Sequence, residues 1–226
     1  MKVLQVIDKL DTGGAERVYI DLSNLLYENN VDISVLTFIN QGEIKNQLNK
    51  NIPVIKYRRK SKFNIFSAIA LSRIIKDYDI IHIHMRHVYR YVKLIAIIFN
   101  SKPKIVLHDH YGKIKIDKSI PLFFNSIFKP EYYIGVSKEL TLWANNLLGV
   151  ENIFLLPNII VKQSLPSNTL KKKKNFVIVG NIKPIKNQLF AIRLIAKLNE
   201  NLTIIGRVDD EKYYLELLEE INKLNL

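Results

Sequence analysis

Short runs of β-branched and other apolar residues alternate along this chain with longer segments whose apolar residues recur at helical spacing. The short runs predict seven strands, with the sequences KVLQVID, DISVLTFI, IPVIKY, DIIHIHM, KIVLHD, YYIGVS and NIFLLP. The longer segments predict helices over residues 15–28, 65–76, 88–99 and 138–148. Such alternation is typical of a parallel sheet with helices on both faces. Residues 1–157 are therefore expected to form a doubly wound α/β domain.

The pattern stops after Pro157 and restarts further along. Residues 158–174 contain Pro, Ser, Asn and four consecutive lysines without sustained periodicity, and they are predicted to be a linker. Residues 175–226 then predict strand, helix, strand and helix. Domains of this class usually contain on the order of 100 to 150 residues. We therefore expect residues 175–226 to be only part of a second doubly wound domain, and the chain to stop before that domain is complete.

Composition narrows the function classes. The chain has 226 residues and no cysteine, which excludes disulfides and thiolate metal sites. No uninterrupted apolar stretch approaches the roughly 20 residues that span a bilayer. The formal net charge of +13 attracts polyanions, whether nucleic acid, anionic lipid headgroups or phosphorylated substrates. Charge alone does not choose among these partners.

A glycine pair follows the first predicted strand, in the sequence DTGGAER. Gly13 and Gly14 permit close backbone approach, and the following helix offers unpaired N–H groups to an anion, so the turn is a candidate phosphate or sugar cradle. It lacks the GxGxxG spacing typical of nicotinamide dinucleotide sites. The alternative is a tight strand-to-helix turn that needs glycine for its geometry alone.

All five histidines lie at or near the ends of the fourth and fifth predicted strands. Ligands bind at the carboxyl ends of strands in open α/β sheets, so we expect His84 and His108 to be functional. His82 shares a face with His84 and is expected to be structural. No HExxH helix or comparable ligand spacing is present, and no metal site is predicted.

Two further segments have competing interpretations. Asp77-Tyr78-Asp79 matches a DxD metal–nucleotide pattern, but it precedes a strand, so a helix end and a turn are predicted. Residues 57–63 are basic and lead into the apolar sequence IFSAIALSRII, which suits an anionic membrane surface. A crossover helix with a solvated basic start explains the same pattern, and the two interpretations are compatible.

Several motifs together resemble family four of the retaining glycosyltransferases, which have the GT-B fold of two Rossmann-like domains. The most specific is VLQVIDKLDTGGAERVYIDLSNLL, and DIIHIHM, IVLHD, GVSKEL and LLPNI follow in the family's order. Residues 179–188 are similar to the family's donor-diphosphate segment, where Lys186 matches but Asn181 replaces the usual arginine, and Lys183 is a candidate replacement for its charge. The family's paired-glutamate motif has no counterpart before Leu226.

The resemblance implies transfer of a sugar from a nucleotide-diphosphate donor to a glycolipid or polysaccharide acceptor, without a cofactor or metal. His108 would contact the sugar at the reacting centre, and Lys186 would stabilise the leaving diphosphate. The other implied substrate-binding residues are Gly13, Gly14, Glu16, His84 and Asp109, with Glu16 and Arg17 also suited to capping the first helix. A cytoplasmic protein at the inner face of the membrane is expected.

Three alternatives remain open at the level of sequence. A fragment that lacks the donor half would bind acceptor or membrane without turnover. A nucleic-acid-binding protein would suit the charge and the lysine run, but the aromatic residues are not interleaved with the basic ones. A nucleotide-sugar epimerase can share the fold, although the glycine turn is more similar to that of transferases.

Overall fold

The computed structural model describes residues 1–39, 42, 44–57, 64–159 and 175–226. The chain divides into two compact units, residues 1–163 and residues 164–226, which are considered separately.

A seven-stranded parallel sheet forms the centre of the first unit, with strand order β3-β2-β1-β4-β5-β6-β7. The strands are β1 (Lys2–Ile7), β2 (Asp32–Thr37), β3 (Val54–Ile55), β4 (Ile80–Ile83), β5 (Lys104–Asp109), β6 (Tyr132–Gly135) and β7 (Asn152–Leu155). The helices are α1 (Gly14–Glu28), α2 (Ile65–Lys76), α3 (Arg86–Ile98) and α4 (Lys138–Asn146). The predicted α/β class, the seven strands and the four helices are confirmed.

Two boundaries differ from the prediction. The third strand has only two residues, because β2 pairs with it only at Val54 and Ile55. Helix α3 begins at Arg86, two residues before the predicted start, because the extended Met85 directly precedes it. Single turns of 3₁₀ helix at Lys45–Gln47 and Leu122–Asn125 were not predicted, and they lie where the chain crosses between strands without an α-helix.

The two faces of the sheet bury different side chains. Leu4 and Leu107 on one face join a core with α2, α3 and α4, and Ile7 on the other face packs against α1. Because side chains alternate along a strand, Gln5 shares the face of Ile7. Gln5 pairs in register with His82, so both side chains project toward the side of the sheet that α1 covers. A polar row therefore lies inside an otherwise apolar layer.

The second unit contains a two-stranded parallel sheet, β8 (Asn175–Val179) and β9 (Asn201–Ile205), with helices α5 (Gln188–Leu198) and α6 (Glu211–Lys223). A 3₁₀ turn at Pro184–Lys186 precedes α5. Ile192 and Tyr213 join the two helices in a small apolar core. The predicted order of strand, helix, strand and helix is confirmed.

The DxD-like segment lies at the amino end of β4, as predicted. Asp77 ends α2, and a carboxylate oxygen of Asp79 accepts a hydrogen bond from the Lys2 backbone N–H at 2.7 Å. Both residues thus serve a helix end and a turn.

Some predictions fall outside the described residues. Most of the basic stretch falls in residues 58–63, which are not described. The lysine run and most of the predicted linker fall in residues 160–174, which are not described either. Across the part of the chain that is described, no helix has the length and apolar character needed to cross a membrane.

Candidate functional site

The carboxyl ends of β1, β4 and β5 lie side by side in the centre of the first sheet, because β4 pairs with both β1 and β5. The strand-to-helix turn that contains the predicted glycine pair leaves β1 here. His84 follows β4, and His108 lies in the last part of β5. The parallel sheet thus brings the turn and both histidines to one edge, which is the usual place for a ligand in this class of fold.

The glycine pair occupies the start of α1. Gly13 is the extended N-cap residue, with φ of −155°, and Gly14 is the first residue of the helix. A side-chain carbon added at Gly13 would lie 2.2 Å from a carboxylate oxygen of Glu16, whereas one added at Gly14 would meet nothing within 4 Å. The fold therefore does not require glycine at position 14, and the space beside this residue is open.

Glu16 folds back over the start of α1. Its side chain is half-buried, and this burial raises the pKa of the carboxyl group. The neighbouring Arg17 donates to Asp21 at 2.8 Å and to Gln47, so its guanidinium group lies along the helix. The structure therefore places Glu16, rather than Arg17, against the glycine turn.

Four histidines and one glutamine form a hydrogen-bonded cluster, which we call the histidine network: Gln5, His82, His84, His108 and His110. The amide of Gln5 joins two branches, with its Nε2 3.1 Å from His82 Nδ1 and its Oε1 2.6 Å from His84 Nε2. His82 Nε2 lies 3.2 Å from His108 Nδ1, and His84 Nδ1 lies 3.1 Å from His110 Nε2. The network extends from the core to the edge of the sheet.

Burial keeps the imidazoles of the network neutral. It lowers the pKa of His82 to about 3, of His108 to about 2 and of His110 to about 4, and it holds the pKa of His84 well below its usual value. The neighbouring imidazoles act in the same direction on His82, His84 and His108, whereas Asp109 opposes the shift at His110. At neutral pH each ring therefore carries one ring proton.

His108 ends one branch of the network with an unsatisfied atom. The residue is fully buried, and its Nε2 has no hydrogen bond of ordinary geometry to the described residues, although a weaker backbone hydrogen bond with Leu156 opposes the lowering of the His108 pKa. A buried polar atom without a partner costs about 1–3 kcal/mol, so the atom calls for an explanation, and a bound ligand or a water is one. His108 is thus the best candidate for a direct ligand contact among the predicted residues.

The same histidines have a spacing that a metal ion accepts. Ring nitrogens of His82, His84 and His108 lie within 4.8 Å of one another, and neutral imidazole is a common ligand of transition metals. In this structure the nitrogens hydrogen-bond to each other and to Gln5 instead. The rings of His82 and His108 are stacked, with centroids 5.1 Å apart.

Asp109 faces the opposite side of the sheet from His108. Its carboxylate accepts hydrogen bonds from Arg86 Nη2 at 2.6 Å, from the Tyr133 hydroxyl at 2.7 Å and from the Tyr111 N–H at 3.1 Å. The Arg86 guanidinium also lies over the rings of Tyr111 and Trp143. The protein thus occupies both oxygens of Asp109, and this ion pair fixes the end of β5, where His108 lies.

In the second unit, the predicted diphosphate segment follows β8. Asn181 and Lys183 both donate to Asp209, at 2.9 and 3.0 Å, and these bonds lower the pKa of that carboxyl group to about 2. Lys183, the candidate replacement for the family's arginine, is therefore engaged within the protein. Lys186 is exposed, and its stem runs beside Gly180.

The model of glycosyltransferase family 4 matches residues 12–160, about two thirds of the chain, and this match includes the glycine turn and the four histidines of the network. The chain belongs to glycosyltransferase family 4. A relative of this chain is the capsular polysaccharide biosynthesis glycosyltransferase CapH of Staphylococcus aureus, which is 24% identical over 97% of this chain and 66% of the length of CapH.

Solved structures of glycosyltransferases have the same GT-B fold. One is the structure of Anabaena HepE in complex with UDP and glucose. The match covers 100% of the present chain and 67% of the HepE chain, with 19% identity and a TM-score of 0.73. The lipopolysaccharide outer core galactosyltransferase WaaB matches 100% of this chain and 65% of its own, with 16% identity and a TM-score of 0.66. The chain spans about two thirds of the length of each of these relatives.

Sequence reasoning missed Gln5, His110 and Arg86 as parts of the site. A signal for Gln5 was present, because it is the one polar residue inside the buried strand sequence VLQVI. Arg86 gave no comparable signal, since a charged residue at the start of a helix is ordinary. Only the strand register brings Gln5 to the histidines.

Proposed function

We propose that this chain acts in a glycosyltransferase that moves a sugar from a nucleotide-diphosphate donor to an acceptor hydroxyl, with retained anomeric configuration. The observation that carries the proposal is the buried Nε2 of His108, which lacks a hydrogen bond of ordinary geometry, at the carboxyl-end edge of the sheet in a family 4 domain. The names of the relatives support a sugar nucleotide as the donor, because HepE binds UDP and glucose.

His108 and the glycine turn have separate tasks in this proposal. The neutral ring of His108 contacts a polar atom of the sugar or of the diphosphate. The uncrowded backbone at Gly14, at the positive end of α1, accepts a negatively charged or hydroxyl-bearing group. Asp109 acts through the fold, since its ion pair with Arg86 holds the end of β5 in place.

The second unit contributes a cation in this proposal. Lys186 is exposed beside the turn that follows β8, and its ammonium group stabilises negative charge as the diphosphate leaves. Glu16 and His84 support the site from within. Glu16 packs over Gly13, and His84 links Gln5 to His110.

The acceptor is proposed to be a polysaccharide or a lipid-linked glycan, because the relative CapH is named for capsular polysaccharide biosynthesis. The net charge of +13 suits an anionic membrane surface. The first residues of α2 have exposed apolar side chains that could enter such a surface, and Phe66 is 79% exposed. Cosedimentation with anionic and neutral vesicles tests this part. Phe66→Ser should reduce binding to anionic vesicles, whereas Leu215→Ser on α6 should not; equal effects would contradict the assignment.

Calorimetry on the 226-residue chain tests the proposed donor. The panel contains UDP-glucose, UDP-galactose, UDP-N-acetylglucosamine and GDP-mannose, and each is measured with the chain and with the His108→Asn and His87→Asn variants. We expect one sugar nucleotide to bind, His108→Asn to weaken that binding by about tenfold, and the exposed His87→Asn to leave it unchanged. Binding of single-stranded nucleic acid at physiological salt, without binding of any sugar nucleotide, would favour the nucleic-acid alternative instead.

A further inference from the structure

We infer that Gln5 is a positioning residue that sets the tautomers of the histidine network, so that His108 presents an Nε2–H donor to its ligand. Gln5 lies in the middle of β1, fully buried, and its side-chain amide touches both branches of the network. The inference concerns which ring nitrogen carries the proton in each histidine. It rests on the proposed function only for the identity of the ligand atom that accepts from His108.

The first branch determines the tautomer of His108. The amide nitrogen of Gln5 can only donate, so His82 Nδ1 must be bare and His82 must carry its proton on Nε2. That N–H donates to His108 Nδ1 at 3.2 Å. Because a neutral imidazole has one ring proton, the proton of His108 lies on Nε2, the ring nitrogen that does not face His82.

The second branch is consistent with the same orientation of the amide. The Gln5 oxygen can only accept, so His84 donates to it from Nε2 across 2.6 Å. His84 Nδ1 is then bare and accepts from His110 Nε2 at 3.1 Å. The short oxygen contact fits this orientation. All four histidines of the network are therefore Nε2–H tautomers.

The consequence for chemistry is that His108 donates and does not act as a base. An N–H donor suits a sugar hydroxyl oxygen or a phosphate oxygen, and both are present in a sugar nucleotide. A flipped Gln5 amide would reverse every proton in both branches and would leave His108 Nε2 as a bare acceptor. A single buried amide thus determines the hydrogen-bonding character of an atom in the site.

The experiment is nuclear magnetic resonance of the full chain labelled with ¹⁵N only in histidine, recorded without nucleotide at neutral pH. The chain contains five histidines, so each ring is resolved by comparison with single variants. Protonated and bare ring nitrogens resonate in separate regions. We expect His82, His84, His108 and His110 each to have a protonated Nε2 and a bare Nδ1. A proton on Nδ1 of His108, or a tightly bound metal ion whose removal shifts these resonances, would overturn the inference.

Two variants test whether Gln5 is the cause. In Gln5→Glu the carboxylate can only accept, so His82 Nδ1 should gain a proton. In Gln5→Met the amide is lost, and His108 should become a mixture of tautomers, with sugar-nucleotide turnover reduced about tenfold. If Gln5→Met does not fold, Gln5→Glu and the wild-type spectrum still decide the question.

Tyr19→Phe is the matched control. The Tyr19 hydroxyl donates to the backbone oxygens of Gln5 and Leu36, at 3.3 and 3.4 Å, so its loss perturbs the same buried layer without touching the amide. We expect unchanged tautomers in this variant. Unchanged tautomers in Gln5→Glu as well would show that Gln5 only fills space. Correct tautomers in a chain that binds no sugar nucleotide would contradict the proposed function and leave this inference intact.

Discussion

Arg86 and Asp109 form a buried ion pair across the ends of two neighbouring segments, with Arg86 Nη2 2.6 Å from Asp109 Oδ2. The carboxylate side chain is 2% exposed, and the guanidinium also packs on Tyr111 and Trp143. The pair joins the start of α3 to the end of β5, one residue after His108. These contacts give Asp109 a structural role, and its predicted role in substrate binding stays a prediction.

Removing the charge of Asp109 should destabilise the first unit. Asp109→Asn leaves the Arg86 guanidinium buried without its counter-ion, and breaking such a pair costs about 3–5 kcal/mol of the free energy of unfolding. Urea unfolding followed by tryptophan fluorescence measures this loss, since Trp143 lies beside Arg86. Glu220→Gln, which breaks the exposed pair with Arg193, is the control and should change stability far less. A stable Asp109→Asn protein that loses only ligand binding would contradict the structural role and favour the predicted substrate role of Asp109.

A substitution in the glycine turn should affect turnover without reducing the stability of the fold. Gly14→Ala adds a methyl group in open space at the start of a helix, so the free energy of unfolding should stay the same or rise by up to ~1 kcal/mol. Sugar-nucleotide turnover should nevertheless fall about tenfold, ~1.4 kcal/mol, because the ligand approaches this backbone. Gly13→Ala should displace the Glu16 side chain as well. Full turnover in Gly14→Ala would mean that no ligand comes close there.

The buried histidines predict the pH dependence of stability. Their pKa values are lowered in the folded state, so the unfolded chain binds more protons, and stability present above about pH 6.5 is lost as the pH falls. Each such histidine contributes about 1.4 kcal/mol per pH unit between its unfolded and folded pKa. The free energy of unfolding is best measured with urea between about pH 6 and pH 5, because most carboxyl groups titrate below this range.

His110 supplies the test of that slope. His110→Gln removes one histidine whose folded pKa is about 4, so the slope should decrease by about 1.4 kcal/mol per pH unit. His87→Gln removes an exposed imidazole on α3 that lies outside the network, and it is the control for the loss of one histidine. If His110→Gln keeps the wild-type slope, His110 does not have the lowered pKa in the folded protein.

The two lysines after β8 should differ in their effect on nucleotide binding. Lys186→Ala should weaken the binding of UDP by about tenfold, because a hydrogen bond to a charged group is worth about 1.5–3 kcal/mol. Lys183→Ala should have a smaller effect, because its ammonium group already pairs with Asp209 at 3.0 Å. Calorimetry with UDP measures both. The reverse order would identify Lys183 as the phosphate ligand in place of the family's arginine.

Local sequence patterns were enough to predict most of the strands and helices of the fold. The strands and helices followed from apolar periodicity, and His84 and His108 were placed at one edge because parallel strands end together. The partners of Gln5 and Asp109 lie 77 and 23 residues away along the chain, so they depend on strand register and on helix packing. No local pattern contains that information. The position of Lys183 predicts a phosphate ligand, whereas no local pattern predicts the pairing of Lys183 with Asp209.

One titration tests the central claim most directly. The full chain, labelled with ¹⁵N in histidine, is titrated with the sugar nucleotide that binds in the calorimetric panel. We predict that the Nε2–H resonance of His108 shifts on binding, that the proton stays on Nε2, and that the resonances of the exposed His87 do not move. Binding that leaves His108 unchanged, or the absence of binding by every sugar nucleotide, would contradict the account.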